Sequence, residues 1–373
     1  MRVSIWSDSL RVRSDFEGGN ATDVEIVAAD YLRFRADPGT SPAPLWFYFA
    51  IEGAAVPEVW CELRNAAECL GPASGWPTVR PVVSAGDGRW ERVAETTYVE
   101  SRGWFRFRVP VRGPRTLVAY SYPYTSADLE RLLTDLPAHL QREELARSRR
   151  GRAVPYLRAG SLTAPDQVWV LGRQHAGETP ASFAAEGLLR EMAGTRGAER
   201  RGMAVHLVPL LDLDGACEGA YGKDQAPIDF NRDWSPHPRR PEVAEVLRRL
   251  REPQVAARTR LVLDLHASHH GDTACYLFGS GTAAAEPLTS RFMEALAEES
   301  PPAIGLRSSD LRTAEPPAGS ARQYLGDLLR VPVLTVELSY HLAQSGCYLT
   351  PELYRGFGAA LARAALRSVP RSA

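Results

Sequence analysis

The sequence predicts two regions of different fold: an antiparallel β-sandwich over residues 1–122 and an α/β domain with a mixed or largely parallel sheet over residues 123–373. Six of the eight tryptophans lie in the first region, where short β-rich runs are separated by Pro/Gly turns. In the second region, nearly unbroken apolar runs alternate with helical segments. Short strands with frequent turns are typical of sandwiches, whereas alternating strands and helices are typical of α/β domains.

In the first region, residues 45–49 read LWFYF and residues 104–109 read WFRFRV, the second run alternating apolar and basic side chains. A period of two places alternate side chains on opposite faces of a strand. Turn residues at positions 38–39 and 113–114 separate such runs. We therefore expect short antiparallel strands packed as a sandwich.

The second region opens with a charged stretch that predicts a helix from Ser126 to about Arg149. Apolar runs expected to form strands covered on both faces follow at residues 167–172, 204–209, 261–265 and 331–336. Helices are predicted at residues 180–193, 242–252, 288–299 and 320–329, and from Pro351 onward.

Charge balance, apolar runs and cysteine content limit the partners and the compartment that we expect for this protein. Lys plus Arg total 44 and Asp plus Glu total 45, so neither nucleic acid nor an acidic membrane surface is expected as a partner. No run of about 18 apolar residues predicts a membrane-spanning helix, and residues 1–8 lack an apolar leader core. Five scattered cysteines fit free thiols in a reducing compartment. We expect a soluble, cytoplasmic protein, and the oligomeric state stays open.

Candidate metal ligands follow two of the apolar runs. His175 and Glu178 come just after residues 167–172, and His266 comes directly after residues 261–265. Strand ends of an open α/β sheet are where such sheets bind their ligands. Two imidazoles and one carboxylate are a set that catalytic Zn²⁺ takes from proteins, leaving a position for water. The sequence therefore predicts a zinc site.

Other polar residues complete the predicted site. Glu337, at the end of the last apolar run, is expected to take a proton from water and pass it to the leaving nitrogen. Arg232 with Asn231 is a suitable clamp for a substrate carboxylate, because a guanidinium matches a carboxylate bidentately. Asp264 either turns away from the metal along its strand or accepts a proton from a ligand imidazole.

These residues resemble the motifs of the M14 zinc carboxypeptidases, specifically of the cytosolic carboxypeptidase subfamily. The segments that match catalytic motifs are His175-Ala-Gly-Glu178-Thr179-Pro180, residues 229–234, Asp264-Leu265-His266 and Glu337. Residues 16–20, 45–49 and 120–125 resemble the subfamily's own β-sandwich domain. The resemblance implies a mixed-sheet zinc carboxypeptidase-like catalytic domain after the sandwich. It also implies zinc ligands His175, Glu178 and His266, a carboxylate site at Asn231 and Arg232, and Glu337 as general base.

One loop departs from the family pattern. Where the family carries an arginine that polarises the scissile carbonyl, this chain reads Gly219-Ala-Tyr-Gly222-Lys223. Loss of such a donor typically costs about 10²- to 10³-fold in turnover. Lys223, the only lysine in the sequence, is therefore a candidate substrate-binding residue that restores a positive charge as a point charge.

Three functions remain open from the sequence. The first is a metallocarboxypeptidase that removes the last residue of a peptide or protein, by resemblance an acidic one; Arg307, Arg312 and Arg322 are candidates for a basic pocket wall. The second, favoured by the altered loop, is a zinc amidase or deacylase of the same fold acting on an N-acyl amino acid or a modified peptide. The third is a catalytically weak protein that binds a carboxylate-bearing chain terminus.

Overall fold

The computed structural model describes residues 3–6, 10–194, 202–279 and 286–370, so parts of both predicted regions lie outside it. The strands are β1 Ser4–Trp6, β2 Arg11–Arg13, β3 Thr22–Ala28, β4 Tyr31–Arg35, β5 Tyr48–Glu52, β6 Glu58–Leu63, β7 Val82–Ser84, β8 Glu91–Arg92, β9 Thr96–Val99, β10 Trp104–Pro110, β11 Arg115–Ala119, β12 Gln141–Arg147, β13 Ala153–Ala159, β14 Asp166–Gly172, β15 Met203–Val208, β16 Thr259–Ala267, β17 Tyr276–Phe278, β18 Leu311–Arg312 and β19 Val333–Leu338. The α-helices are α1 Ser126–Asp135, α2 Thr179–Ala193, α3 Leu213–Glu218, α4 Pro241–Leu250, α5 Pro253–Ala256, α6 Glu286–Glu299, α7 Ala321–Leu329 and α8 Pro351–Ser368. Within these described ranges, no helix has both the length and the apolarity needed to cross a membrane.

Two sheets of mostly antiparallel strands form the N-terminal sandwich. Among the described residues, one sheet has the order β1-β2-β5-β11-β7-β8 and the other the order β3-β4-β6-β10-β9. Within the second sheet, β4 and β6 pair in parallel. Alternate residues of β10 are buried, and aromatic rings fill the core, as where Phe47 stacks on Phe107 with centroids 5.7 Å apart. The predicted sandwich is confirmed, and its sheets are mostly antiparallel.

The third sheet is mixed, with the order β12-β13-β15-β14-β16-β19-β17-β18 in the described part of the chain. β14 pairs in parallel with β15 and β16, and β16 pairs in parallel with β19. The pairs β12/β13, β13/β15 and β17/β19 are antiparallel. The central strands β14 and β16 are buried along nearly their whole length, as their unbroken apolar sequences predict. The predicted α/β region with a mixed sheet is confirmed.

The helix predicted from Ser126 to about Arg149 is too long. Helix α1 ends at Asp135, and strand β12 follows it. Pro137 cannot continue a helix, because it lacks an N–H and disfavours the helical conformation of the residue before it. Strand β12 is the mostly exposed edge of the sheet, so its charged composition resembles that of a surface helix. The predicted boundary between residues 122 and 123 falls in the segment between β11 and α1.

Parallel pairing of β14, β16 and β19 brings their carboxyl ends to one edge of the sheet. His175 follows the end of β14, and Glu178 is the N-cap residue of α2. His266 lies within β16, directly opposite Glu337 on β19. The topology therefore collects the predicted site residues at the edge where open α/β sheets bind ligands.

Candidate metal centre

Two histidines and one glutamate, His175, His266 and Glu178, lie together at this edge, and all three are buried. Nδ1 of His175 is 2.8 Å from Oε1 of Glu178, and Nδ1 of His266 is 2.8 Å from Oε2 of the same carboxylate. One ligand atom from each residue lies within 4.8 Å of the others. This donor set fits Zn²⁺, which binds imidazole nitrogen and carboxylate oxygen at about 2 Å.

The opposite nitrogen of each imidazole contacts an aspartate. Nε2 of His175 is 3.1 Å from Oδ1 of Asp229, and Nε2 of His266 is 3.0 Å from Oδ2 of Asp264. A carboxylate in this position keeps the proton on Nε2, fixes the ring orientation and leaves Nδ1 for a metal. Of the two orientations considered for Asp264, the structure has the one in contact with the imidazole.

The charges of this cluster are strongly coupled. Burial by itself lowers the pKa of His175, but the carboxylates of Glu178 and Asp229 outweigh burial and raise it to about 9. The pKa of His266 is raised well above its usual value because Asp264 and Glu178 likewise outweigh burial. Burial opposes ionisation of Asp229, yet His175 brings its pKa down to about 2. A divalent cation at this site would replace protons on the two Nδ1 atoms, so its binding is coupled to pH.

A tight turn between β14 and α2 presents His175 and Glu178. Arg173 has a φ of 57°, a conformation that few non-glycine residues adopt. Its buried guanidinium donates from Nε to the carbonyl of Ala176 at 2.7 Å and from Nη1 to Oγ of Ser182 at 2.9 Å. Burial lowers the pKa of Arg173 to about 10, which leaves it charged at neutral pH. These bonds hold the ligand turn against the first turn of α2.

Glu337 is half-buried and lies on β19, between strands β16 and β17. It pairs with His266 on one side and with Tyr276 of β17 on the other. Burial raises the pKa of Glu337, while the positive charges of His266 and Lys223 oppose the rise. The carboxyl group therefore sits beside a candidate metal ligand, with a proton affinity above that of an exposed glutamate.

The two residues of the predicted carboxylate clamp, Asn231 and Arg232, have different surroundings in the structure. Asn231 is buried, its Oδ1 accepts from the backbone N–H of Ala321 at 2.8 Å, and its Nδ2 is 3.1 Å from Nε2 of His266. Arg232 is partly exposed, and its Nη1 donates to the carbonyl of Asn231 at 2.8 Å. Arg232 also lines an open cavity of about 530 Å³ between residues 39–42 of the sandwich and residues 224–229. Arg232 is thus accessible to a ligand, whereas the Asn231 side chain is engaged within the protein.

The loop departure at Gly222 has a steric reason. Gly222 has a φ of +94°, and a Cβ built there would lie 2.6 Å from the backbone nitrogen of Ala176 in the ligand turn. No side chain fits at this position with this backbone. Lys223 follows directly, is partly exposed, and its charge acts to lower the pKa of Glu337. With this backbone an arginine at position 222 would clash with the ligand turn, and the charge of Lys223 lies near Glu337.

The three arginines considered for a pocket wall lie in different surroundings. Arg322 is buried, donates from Nη1 to the carbonyl of Gly279 at 2.8 Å and lies over the ring of Phe278. Burial lowers the pKa of Arg322, and the negative charges of Glu337 and Asp264 oppose the shift. The guanidinium carbon of Arg312 is 3.3 Å from the ring centroid of Tyr276, the residue paired with Glu337. Arg307 is exposed and precedes a short 3₁₀ helix.

The chain is similar to known proteins in sequence and in fold. Residues 12–122 match the family model of the cytosolic carboxypeptidase N-terminal domain. Cytosolic carboxypeptidase 6 of Caenorhabditis elegans is 25% identical over 414 residues, which cover 96% of this chain and 87% of the relative.

Two solved structures share the fold. A metallo-carboxypeptidase from Burkholderia cenocepacia has a TM-score of 0.82 at 24% identity, covering 96% of this chain and 98% of that one. A metallo-carboxypeptidase from Pseudomonas aeruginosa, in complex with (2-guanidinoethylmercapto)succinic acid, has a TM-score of 0.81 at 23% identity, covering 95% and 98%. At these identities the two structures establish the fold alone.

In fold the chain is similar to metallo-carboxypeptidases, which are hydrolases, and its N-terminal residues match a carboxypeptidase family model. More particularly, the chain is related to the cytosolic carboxypeptidases, as its motifs predicted. The predicted resemblance and the predicted fold are therefore confirmed, and these relatives and structural neighbours belong to the predicted enzyme class.

Two residues that shape the site carry no assigned role from the sequence. Asp229 contacts His175, and Arg173 holds the ligand turn. A signal for Asp229 was present, because it is the first residue of the segment 229–234 that resembles a catalytic motif. Arg173 is one arginine among 43, and its positive φ leaves no mark in the sequence.

Proposed function

We propose that this chain is a zinc-dependent carboxypeptidase that hydrolyses the C-terminal peptide bond of peptides or proteins in the cytoplasm and prefers an acidic last residue. The observation that carries the proposal is the buried set of His175, Glu178 and His266, each imidazole backed by an aspartate. When bound, Zn²⁺ supplies Lewis acidity and lowers the pKa of water to roughly 7.

Glu337 is assigned the proton transfers. It lies beside the candidate ligand His266 on the adjacent strand, and burial raises its pKa, which favours a carboxyl group that takes a proton and then returns it. Glu337 would take a proton from the attacking water and donate it to the nitrogen of the departing residue, which then leaves as a neutral amine.

Substrate anchoring is assigned chiefly to Arg232. Its guanidinium is partly exposed at a cavity beside Asp229, and a planar fork matches the terminal carboxylate of a peptide. Asn231, whose side chain is bonded to Ala321, would support this arginine and lie alongside the substrate. Lys223 would stabilise the negative charge that develops on the scissile carbonyl oxygen.

An acidic preference is supported by the cations near Glu337. Arg322 is within the electrostatic reach of Glu337 and Asp264, and Arg312 stacks on Tyr276 beside Glu337. A carboxylate on the last side chain of the substrate would be attracted to this charge. A neutral side chain of the same shape would not, so Glu and Gln form a matched pair of substrates.

The test is mass spectrometry of peptides that differ only in a last residue of Glu, Gln, Leu or Lys, mixed with N-acyl amino acids and incubated with zinc-loaded protein. We expect stepwise loss of the last residue, faster for Glu than for Gln. Hydrolysis of the N-acyl compounds alone would favour the amidase function. Absence of any hydrolysis, with binding of peptides retained, would favour the catalytically weak binding function.

A second comparison isolates the acidic preference. Arg322→Met should lower the ratio of the Glu rate to the Gln rate, whereas Arg307→Met, at an exposed arginine, should leave the ratio unchanged. The ratio compares two substrates on one enzyme, so a loss of folded protein cancels. An unchanged ratio in Arg322→Met would remove this residue from the proposed pocket.

A further inference from the structure

The run Phe16-Glu17-Gly18-Gly19-Asn20 of the sandwich contacts the loop that carries Lys223. Oε1 of Glu17 accepts from the backbone N–H of Ser126 at 2.6 Å, which ties the run to the start of α1. The N–H of Gly18 donates to the carbonyl of Cys217 at 3.0 Å, at the end of α3. Glu17 and Gly18 therefore each contact the second region.

Asn20 makes the next contact along this loop. Its side chain is buried, and Nδ2 donates to the carbonyl of Gly219 at 2.7 Å and to the carbonyl of Asp37 at 3.0 Å. Its Oδ1 accepts from the N–H of Asp37 at 2.8 Å. At Gly219 the two backbone segments approach so closely that a Cβ on Gly219 would lie 2.3 Å from the carbonyl oxygen of Gly19. One carboxamide thus joins a sandwich loop to the first residue of the Gly219–Lys223 segment.

The same segment is fixed at its other end by the metal centre. The N–H of Asp224, directly after Lys223, donates to Oδ2 of Asp229 at 2.5 Å, and Oδ1 of Asp229 contacts His175. Between the two ends, the carbonyl of Tyr221 accepts from Gly177 in the ligand turn at 2.8 Å. Asn20 and Asp229 therefore hold the segment at opposite ends, with Lys223 next to the second anchor.

We propose that Asn20 is a positioning residue for catalysis: by holding the carbonyl of Gly219, it fixes where Lys223 stands relative to the metal ligands. The inference rests on the proposed function, because it assigns consequences to the action of Lys223 on the substrate carbonyl. The N-terminal sandwich then takes a direct part in the reaction. Its Asn20 donates the hydrogen bond, and the positive charge that this bond positions is on Lys223 of the second region.

Asn65 offers a matched control. It is buried, its Nδ2 donates to the carbonyl of Ala36 at 2.9 Å, and its Oδ1 accepts from the N–H of Ala36 at 3.0 Å. Asn65 therefore pairs with the backbone N–H and carbonyl of Ala36 in the same manner as Asn20 pairs with those of Asp37. Asn20 also bonds to Gly219. Asn→Asp at either position keeps the shape and removes the donor, so the difference between the two variants reports the Gly219 contact.

The experiment compares Asn20→Asp, Asn65→Asp and wild type in the full chain. Hydrogen exchange of backbone amides in residues 219–228 should become roughly fivefold faster in Asn20→Asp alone, in line with the loss of one buried hydrogen bond. On the preferred peptide, kcat should fall about tenfold to a hundredfold with zinc content and KM nearly unchanged, because misplacement of a catalytic group acts on the transition state. In a Lys223→Ala background, Asn20→Asp should have little further effect on kcat.

Unchanged exchange in a folded Asn20→Asp variant, or an equal change in Asn65→Asp, would overturn the proposal. Additive losses of kcat from Asn20→Asp and Lys223→Ala would overturn its link to Lys223. If the wild type cleaves no peptide, the proposed function fails, and hydrogen exchange still decides whether Asn20 holds the loop. Should Asn20→Asp not fold, Asn20→Ser, which removes the carboxamide without adding charge, takes its place.

Discussion

Oδ1 of Asp229 lies 3.1 Å from Nε2 of His175, on the side of the imidazole opposite the nitrogen that faces Glu178. Its second oxygen accepts the N–H of Asp224, which follows Lys223 in the chain. One carboxylate therefore orients a candidate metal ligand and holds the loop that carries the candidate carbonyl-binding lysine. Metal affinity and turnover should both depend on it.

Asp229→Asn keeps the size of the side chain and removes its charge, so the Nε2–H of His175 faces at best a neutral amide oxygen in place of a carboxylate. We expect zinc affinity to fall about 10- to 100-fold, as found for partners of metal-bound histidines. Competition with a metal chelator measures the change. Asp233→Asn is the matched control, because Asp233 is buried in the same loop but accepts from the N–H groups of Arg239 and Arg240. Equal affinities for zinc in the two variants would contradict the role of Asp229.

Gly222→Ala should disturb the ligand turn through lack of space. A Cβ at Gly222 would meet the nitrogen of Ala176 at 2.6 Å, whereas Gly113 has a similarly positive φ of +108° with nothing within 4 Å. Both alanines strain the backbone, but only the first forces atoms together. We expect Gly222→Ala to lower the free energy of unfolding by about 1–3 kcal/mol more than Gly113→Ala. Denaturant titration measures the free energy of unfolding of both variants. Equal losses of stability would mean that the loop moves to accommodate the Cβ at position 222.

Lys223→Ala tests whether this lysine has taken over the charge stabilisation lost with the family arginine. We expect kcat to fall about 10²- to 10³-fold, the usual effect of removing an oxyanion donor. Lys223→Arg keeps the charge and should retain more of the rate than alanine does. Steady-state kinetics on the preferred peptide check this, and a change within about twofold for alanine would make Lys223 a solvated loop residue.

Glu242 should make stability depend on pH. Burial raises its pKa to about 7, and its Oε2 is buried without a hydrogen-bond partner among the described residues. A carboxyl whose pKa is higher in the folded state than in the unfolded chain holds its proton preferentially when folded. Its contribution to stability is therefore complete below the unfolded value of about 4.3 and is lost as pH rises through 7. Glu242→Gln should match wild type near pH 4 and melt at a higher temperature above pH 7; parallel melting curves across this range would refute the assignment.

Much of the fold could be predicted because burial leaves a direct pattern. Strands covered on both faces must be apolar along their length, and β14, β16 and β19 follow that rule. The edge strand β12 was missed, since an exposed strand carries charged residues much as a surface helix does. Its pairing with β13 is a long-range choice that local composition does not encode.

The site was predictable to the extent that chemistry is tied to spacing. His175 and Glu178 stand three residues apart at one strand end, and His266 and Glu337 stand on neighbouring strands. The sequence does not show which of these side chains the fold buries. Asn231 and Arg232 are adjacent, yet one is engaged by Ala321 and the other is open to a cavity. The clash that excludes a side chain at Gly222 likewise depends on a backbone distance to another segment.

The most direct test of the proposed mechanism is Glu337→Gln, with zinc content and peptide hydrolysis measured on the same sample. The three candidate ligands are untouched, so we expect one zinc per chain as in wild type, and a loss of turnover of about 10²- to 10⁴-fold because the proton acceptor is gone. His175→Ala should lose both zinc and activity. Wild-type turnover in Glu337→Gln would contradict the assignment of the proton transfers to Glu337, and with it the proposed mechanism.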